Sequence, residues 1–196
     1  PCILEARVPF DRELSVIAVR GRDGECRTWP LSENRHEDGI LRVSRSLAND
    51  PMEGPARDYC ERLLNALDYV GVLALELFQC GDQLLVNEYA PRVHNSGHWT
   101  IEGAVPSQFE NHLRAIAGLP LGVTAAVAPS VMVNVIGEWP AARDILAVAG
   151  AHLHDYGKSP APGRKLGHIT LVDQDATALR QRTAELLRLV GVEGTA

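Results

Sequence analysis

Apolar and polar residues alternate over residues 2–8 and again over 13–20, which predicts two strands. The turn Gly21-Arg22-Asp23-Gly24 then leads to a third short strand over 26–30, so the chain is expected to open as an antiparallel meander. A polar stretch with Asn34, His36 and Asp38 follows, and 39–44 has the length and pattern of another strand. Pro51 and Pro55 precede a helix predicted over 56–68, because Ala56, Cys60, Leu63, Leu64 and Leu67 recur on one face. Two apolar runs, 70–78 and 84–90, joined by Cys80-Gly81-Asp82-Gln83, form the clearest hairpin in the chain. Residues 91–104 follow neither period and are polar and aromatic, which suggests a functional loop. Ser107 and Glu110 match a capping box, starting a helix that carries Phe109, Leu113 and Ile116 and stops at Gly118 before Pro120. After an alanine-rich connection over 123–129 come a strand (130–136), a short helix (140–149), strands over 151–156 and 165–172, and a helix over 176–190. The fold class expected is α/β: a mostly antiparallel half with helices over residues 1–122, then a small α+β C-terminal domain over 123–196.

Charge changes this picture. Nineteen lysines and arginines face 25 aspartates and glutamates, a formal charge of −6. Broad nucleic-acid or anionic-membrane binding depends on a basic field, so no nucleic-acid or membrane partner is expected and any phosphate site must be local. Apolar runs are strand-sized and no signal-peptide pattern opens the chain, so a cytoplasmic protein is expected. Cys2, Cys26, Cys60 and Cys80 lack ligand-like spacing and read as free thiols. Only Lys158 and Lys165 are lysines, and both fall in one short segment. With Pro1 at the start and the strand pattern already running at residue 2, the chain is expected to be part of a longer protein.

Three constellations could carry chemistry. Glu76 and Glu88 lie opposite or nearly opposite on the hairpin, where like charges destabilise a sheet unless a divalent cation sits between them. Mg²⁺ is held by one or two carboxylates plus substrate phosphates, and Asn87 offers a further oxygen; in a different register each glutamate would merely face solvent. Directly after this strand, Arg92, His94, Asn95, Ser96 and His98 gather a planar cation, two imidazoles, an amide and a hydroxyl, a set that suits a small oxyanion. An ordinary polar turn would explain any one of them. Finally, Lys158, Arg164 and Lys165 lie among glycines and prolines over 156–168, where a phosphomonoester is the natural partner and a solvated basic turn the alternative.

The run from Asn87 to Thr100, with Tyr69-Val70-Gly71-Val72, His36–Arg42, Ser107–Arg114, Leu119-Pro120-Leu121 and Pro162–His168, resembles the 5-(carboxyamino)imidazole ribonucleotide synthases, ATP-grasp enzymes of purine biosynthesis. The resemblance is collinear over nearly the whole chain. It implies the second half of an ATP-grasp module and its C-terminal domain, ATP and Mg²⁺ as cofactors, aminoimidazole ribonucleotide and bicarbonate as substrates, and a homodimer. By the same resemblance, Glu5 would correspond to the adenine hinge, with Val8 also at the nucleotide, Glu13 to the acceptor for the ribose hydroxyls, and His36, Asn87 and Glu88 to nucleotide contacts. Glu76 and Glu88 would hold the metal; Arg92, His94, Asn95 and Ser96 would form the bicarbonate and carboxyphosphate pocket. Lys158, Arg164 and Lys165 would bind the ribonucleotide phosphate. The family's phosphate-gripping lysines and Gly-rich lid have no counterpart here, so two other readings stay open: another ATP-grasp carboxylase or ligase, and a non-catalytic nucleotide-binding module.

Overall fold

Strand β1 (Arg12–Arg20) is apolar on both faces, and so must be covered on both. Its Leu14, Val16 and Ala18 pack with Leu73, Leu75 and Leu77 of β5 (Gly71–Cys80) beneath helix α1 (Glu53–Ala66), which contributes Ala56, Cys60 and Leu64. Ile17 and Val19 face the other way, onto Trp29, Val72, Ala74 and Trp99.

The structure, a computed structural model, describes residues 2–192. The remaining strands are β2 (Cys26–Thr28), β3 (Ser32–Glu37), β4 (Ile40–Ser46), β6 (Gln83–Ala90), β7 (Ser130–Ile136), β8 (Ala151–Asp155) and β9 (Lys165–Val172). They form one sheet in the order β6-β5-β1-β3-β4-β7-β9-β8, with β2 on β1, and every pairing is antiparallel. The sheet is thus continuous through β4 and β7 into the C-terminal strands. There α4 (Ala142–Ala147) and α5 (Ala176–Leu189) supply Ile145, Leu179, Leu186 and Leu187 to a core with Val131, Val133, Ile169 and Leu171. Asp175 caps α5 by accepting from the Thr177 and Ala178 amides. Cross-strand partners share a face, so the register puts α1, α4 and α5 on one side of the sheet. The opposite side carries the 91–104 loop, α2 (Thr100–Gly103) and α3 (Gln108–Ala117).

The structure departs from the sequence pattern at three places. Residues 2–10 form no strand: their alternation meets no partner among the described residues, and pairing begins only where the Asp11 amide donates to Gln79 O. The polar stretch around Asn34 is strand β3, whose serine and asparagine side chains are satisfied across the sheet rather than in a turn. Helix α3 has the expected Ser107 cap, and Gly118 closes it at φ 70°. It is, however, rotated from the face its apolar residues suggest, burying Gln108, Asn111 and Ala115 and leaving Leu113 62% exposed.

Leu64 is the deepest anchor of α1 on the sheet. Leu64→Ala should lower the unfolding free energy by about 2–5 kcal/mol in urea titration, the usual cost of a buried leucine truncation. An unchanged midpoint would mean that α1 is not held by this core.

Candidate active site

The turn of the β5–β6 hairpin is Gly81-Asp82, where Gly81 takes the positive φ (58°) that a two-residue hairpin turn needs at its first position. Counting back, Leu84 opposes Gln79, Leu85 opposes Phe78 and Val86 opposes Leu77. Continued without interruption, this register would set Asn87 opposite Glu76 and turn Glu88 to the face that α1 covers. A bulge at Asn87 inserts one residue, so that Glu88 opposes Glu76 on the open face. The two carboxylates are paired by that one irregularity.

Along the same face the register continues from Glu76 to Ser15 and Ser32, and in the next row from Glu13 to Asn34 and Ser44. These polar side chains, all buried apart from the half-buried Glu13 and Glu76, form a bed for the loop. Ser44 Oγ donates to Asn34 Oδ1 (2.9 Å), Asn34 Nδ2 to Ser15 Oγ (3.0 Å), and Ser15 Oγ to Ser96 Oγ (2.7 Å). Ser96 Oγ lies 2.8 Å from His94 Nδ1, and His94 Nε2 lies 3.0 Å from Glu76 Oε1. With Asn34 fixing the direction, Ser96 donates to Nδ1, which leaves the ring proton on Nε2, aimed at Glu76. That hydrogen bond, against the opposing effect of burial and with help from the charge of Arg92, holds the Glu76 carboxyl below the usual carboxylate range. The Ser96 carbonyl accepts from Ser32 (3.1 Å), itself bonded by Trp99 Nε1 (2.9 Å).

Glu13 Oε2 and His36 Nδ1 meet at 2.7 Å beside this carboxylate pair. At the far side of the loop, Asn95 Oδ1 accepts from Lys165 Nζ and from Asn134 Nδ2, both at 2.6 Å, which ties the loop to β7 and β9. Burial, then the neighbouring charges of Lys158 and Arg92, lowers the Lys165 pKa. Among the described residues, Arg92, Lys158 and Lys165 have no carboxylate partner. Lys165 is partly buried, with the exposed Arg92 and Lys158 near enough to lower its pKa, a corner where an anion would be favoured. The two groups that the sequence places apart, the loop at 92–96 and the lysines, are therefore one surface.

Of the other expected residues, Arg164, Glu5 and Val8 sit outside this corner. Arg164 turns back to Ser159 O (3.1 Å), and Lys158 lies over the Tyr156 ring at 5.5 Å. Glu5 is exposed, while Val8 lines a cavity of about 370 Å³ with Arg7, Phe10 and Phe78, the two rings stacking at 4.6 Å. Sequence reasoning does not assemble two clusters. The serine and asparagine rungs are dispersed over three strands, and the only local signal is a serine in the middle of the apolar run Leu14-Ser15-Val16-Ile17. The second cluster is a stack of imidazoles under the loop: His154 on His168 at 4.3 Å, with His98 edge-on at 5.1 Å. The Tyr156 hydroxyl lies 2.8 Å from His168 Nδ1, and Glu102 Oε1 lies 2.7 Å from His154 Nε2.

Mg²⁺ is held by one or two carboxylates, with waters and substrate phosphates filling its shell, and no group of three or more His, Cys, Asp or Glu able to hold a metal occurs among the described residues. The donor set therefore fits a nucleotide-bound Mg²⁺ rather than a resident metal cage.

Comparison with known proteins finds relatives of both parts of the chain. Residues 1–109 match the ATP-grasp domain, and residues 130–182 match the phosphoribosylaminoimidazole carboxylase C-terminal domain. The chain is 56% identical over 190 residues to the N5-carboxyaminoimidazole ribonucleotide synthase of Pseudomonas aeruginosa, which covers 97% of this chain and 53% of that protein. Its structure superposes on the Thermus thermophilus N5-carboxyaminoimidazole ribonucleotide synthetase with a TM-score of 0.94 at 58% identity, over 98% of this chain and 54% of the other. An Aspergillus clavatus N5-carboxyaminoimidazole synthase, solved with ADP and 5-aminoimidazole ribonucleotide, matches at a TM-score of 0.86 and 35% identity, over 93% of this chain and 52% of that one. The chain spans about half the length of the curated relatives it matches.

The imidazole stack carries a pH dependence. Burial above all drives His98 down to about 4 and His168 to about 3, so both are neutral when folded near pH 7. Between pH 6.5 and those values the unfolded chain binds protons that the folded chain does not, so stability falls as the pH is lowered through this window. Each histidine contributes up to about 1.4 kcal/mol per pH unit. Urea titrations from pH 7 to pH 5 should show this loss, and His168→Gln should flatten it; an identical slope in the variant would contradict the assignment.

Proposed function

The chain belongs to the ATP-grasp family, in its N5-carboxyaminoimidazole ribonucleotide synthase branch, and from that premise we propose that its site serves ATP-dependent carboxylation of 5-aminoimidazole ribonucleotide by bicarbonate. The observation that carries this reading is the corner of Arg92, Lys158 and Lys165, three cations without a carboxylate, joined through Asn95 to the loop that holds His94 against Glu76. An ATP-grasp enzyme needs a cleft for the nucleotide phosphates; this branch also needs a second anion site, for the phosphate of its acceptor.

In the proposed reaction ATP phosphorylates bicarbonate to carboxyphosphate, which yields CO₂ beside the exocyclic amine, and the products are the carbamate, ADP and phosphate. Glu76 and Glu88 would hold Mg²⁺ on the nucleotide, and that ion would neutralise charge developing in phosphoryl transfer. Val8 and the Phe10–Phe78 pair line a wall suited to the adenine, and Glu13 with His36 to the ribose. Arg92 and Asn95 orient the bicarbonate oxygens by directed hydrogen bonds. His94 keeps Glu76 ionised, and Ser96, fixed on its polar bed, keeps His94 in the tautomer that does so. Lys165, with Lys158 and Arg164 on the adjoining turn, receives the ribonucleotide phosphate. A cytoplasmic location suits these soluble substrates, and among the described residues no helix is long and apolar enough to cross a membrane. The exposed apolar side chains of α3, Phe109, Leu113 and Ile116, would suit the interface of a homodimer.

Lys165→Met keeps the aliphatic stem and removes the charge. In the protein expressed from its full reading frame it should weaken ribonucleotide binding by roughly ten- to a hundredfold, the loss of a charge-assisted hydrogen bond worth about 1.5–3 kcal/mol. Calorimetry with the dephosphorylated nucleoside should show no comparable loss, and ADP affinity should hold. Equal losses for nucleotide and nucleoside would remove Lys165 from the phosphate site and favour an ATP-grasp ligase whose acceptor carries no phosphate.

A further inference from the structure

Helix α3 buries two amide side chains that grip main chain. Gln108, fully buried, accepts the His94 N–H on Oε1 (3.0 Å) and donates from Nε2 to the carbonyl of the same residue (2.7 Å). One turn on, Asn111 treats Gly122 in the same way, accepting its N–H (2.8 Å) and donating to its carbonyl (3.2 Å). The clamps differ in what they hold. Gly122 belongs to the connection toward β7, whereas His94 is the residue whose ring meets Glu76.

The grip on His94 is tight. Its carbonyl also accepts from His98 Nδ1 (2.9 Å) and from the Gly97 N–H (3.0 Å), so it has no lone pair to spare. A Cβ on Gly97 would lie 2.7 Å from Gln108 Oε1 and 3.0 Å from Ile17 Cγ1, so the glycine between Ser96 and His98 is the space that the Gln108 amide occupies. The 91–104 loop has no neighbouring strand at His94, and Gln108 supplies the pair of hydrogen bonds that a strand would have made.

We infer that Gln108 is a positioning residue: by fixing the His94 peptide from both of its polar atoms, it sets where the His94 imidazole meets Glu76 and Ser96. The inference rests on the function proposed above, because it assigns the result of that positioning to turnover. Misplacing a group in such a site by about 1 Å is enough to cost on the order of a hundredfold in rate. Gln108 touches no substrate; it acts through His94.

The test compares Gln108→Leu with Asn111→Leu, two matched lesions on one helix, in the protein expressed from its full reading frame. Both should lower the unfolding midpoint. Only Gln108→Leu should lower kcat for bicarbonate-dependent ATP hydrolysis, by roughly ten- to a hundredfold, while KM for ATP and for the ribonucleotide stays within about threefold. Gln108→Asn, which keeps the amide but shortens its reach by one methylene, should fall between wild type and the leucine variant, and serves alone if Gln108→Leu does not fold. In parallel, the ring nitrogen resonances of His94 should move in the folded Gln108 variant and stay in place in Asn111→Leu. Equal kcat losses in the Gln108 and Asn111 variants, or an unmoved His94 signal, would overturn the inference. A wild-type protein without bicarbonate-dependent turnover, combined with a His94 signal that moves as expected, would overturn the proposed activity and leave the clamp standing.

Discussion

An irregular, largely buried loop has to find a partner for every backbone and side-chain polar group it carries inward, and in this protein that requirement shapes the sheet beneath it. Residues 94–100 lie against the sheet and α3, with Ser96, Gly97 and Thr100 inaccessible to solvent. An unsatisfied buried polar group costs about 1–3 kcal/mol, so the loop can stay only where the sheet offers donors and acceptors. Ser15, Ser32, Asn34 and Ser44 provide them from three strands, Asn134 from β7 and Gln108 from α3. Each takes a place that an apolar residue would otherwise fill in the core. The loss of hydrophobic burial is accepted where the site is built, and the opposite face of the sheet, packed by α1, α4 and α5, makes up for it.

Sequence patterns made the elements legible wherever burial follows apolar periodicity. The hairpin, the capped start of α3 and all the C-terminal strands come directly from such patterns, because there the hydrophobic effect decides. Legibility fails where hydrogen bonding decides instead. Strand β3 shows in the sequence only as a polar stretch, because Ser32, Asn34 and His36 give it no apolar alternation, yet their neighbours across the sheet hold them extended. Helix α3 buries its amides and exposes its apolar stripe, since Gln108 and Asn111 have main chain to hold. Residues 2–8 show the converse, a strand pattern without a partner. At the hairpin the pattern brought Glu76 and Glu88 close, and the bulge at Asn87 brought them face to face; nothing in the alternation marks a bulge before the register is known.

Charge follows the same logic of placement. A protein of net charge −6 attracts phosphates only where its cations are gathered and its carboxylates kept away. Several arginines elsewhere are held in ion pairs, such as Arg12 with Asp50 and Glu33, Arg20 with Asp68 and Arg114 with Glu110. Arg92, Lys158 and Lys165 are left to one another, and in this structure Lys165 rests on a neutral amide oxygen. Asn95 accordingly stands between the two halves of the site. Through one oxygen it links the loop beside the carboxylate pair to the strand that brings Lys165.

A crystal structure of the protein with ADP, Mg²⁺ and 5-aminoimidazole ribonucleotide would test most directly that this face of the sheet is one composite site. The metal is expected between Glu76 and Glu88, and the ribonucleotide phosphate within hydrogen-bond reach of Lys165 and Lys158, with the aminoimidazole toward Arg92 and Asn95. Ribonucleotide density away from the lysine corner, or a metal held without Glu88, would contradict it.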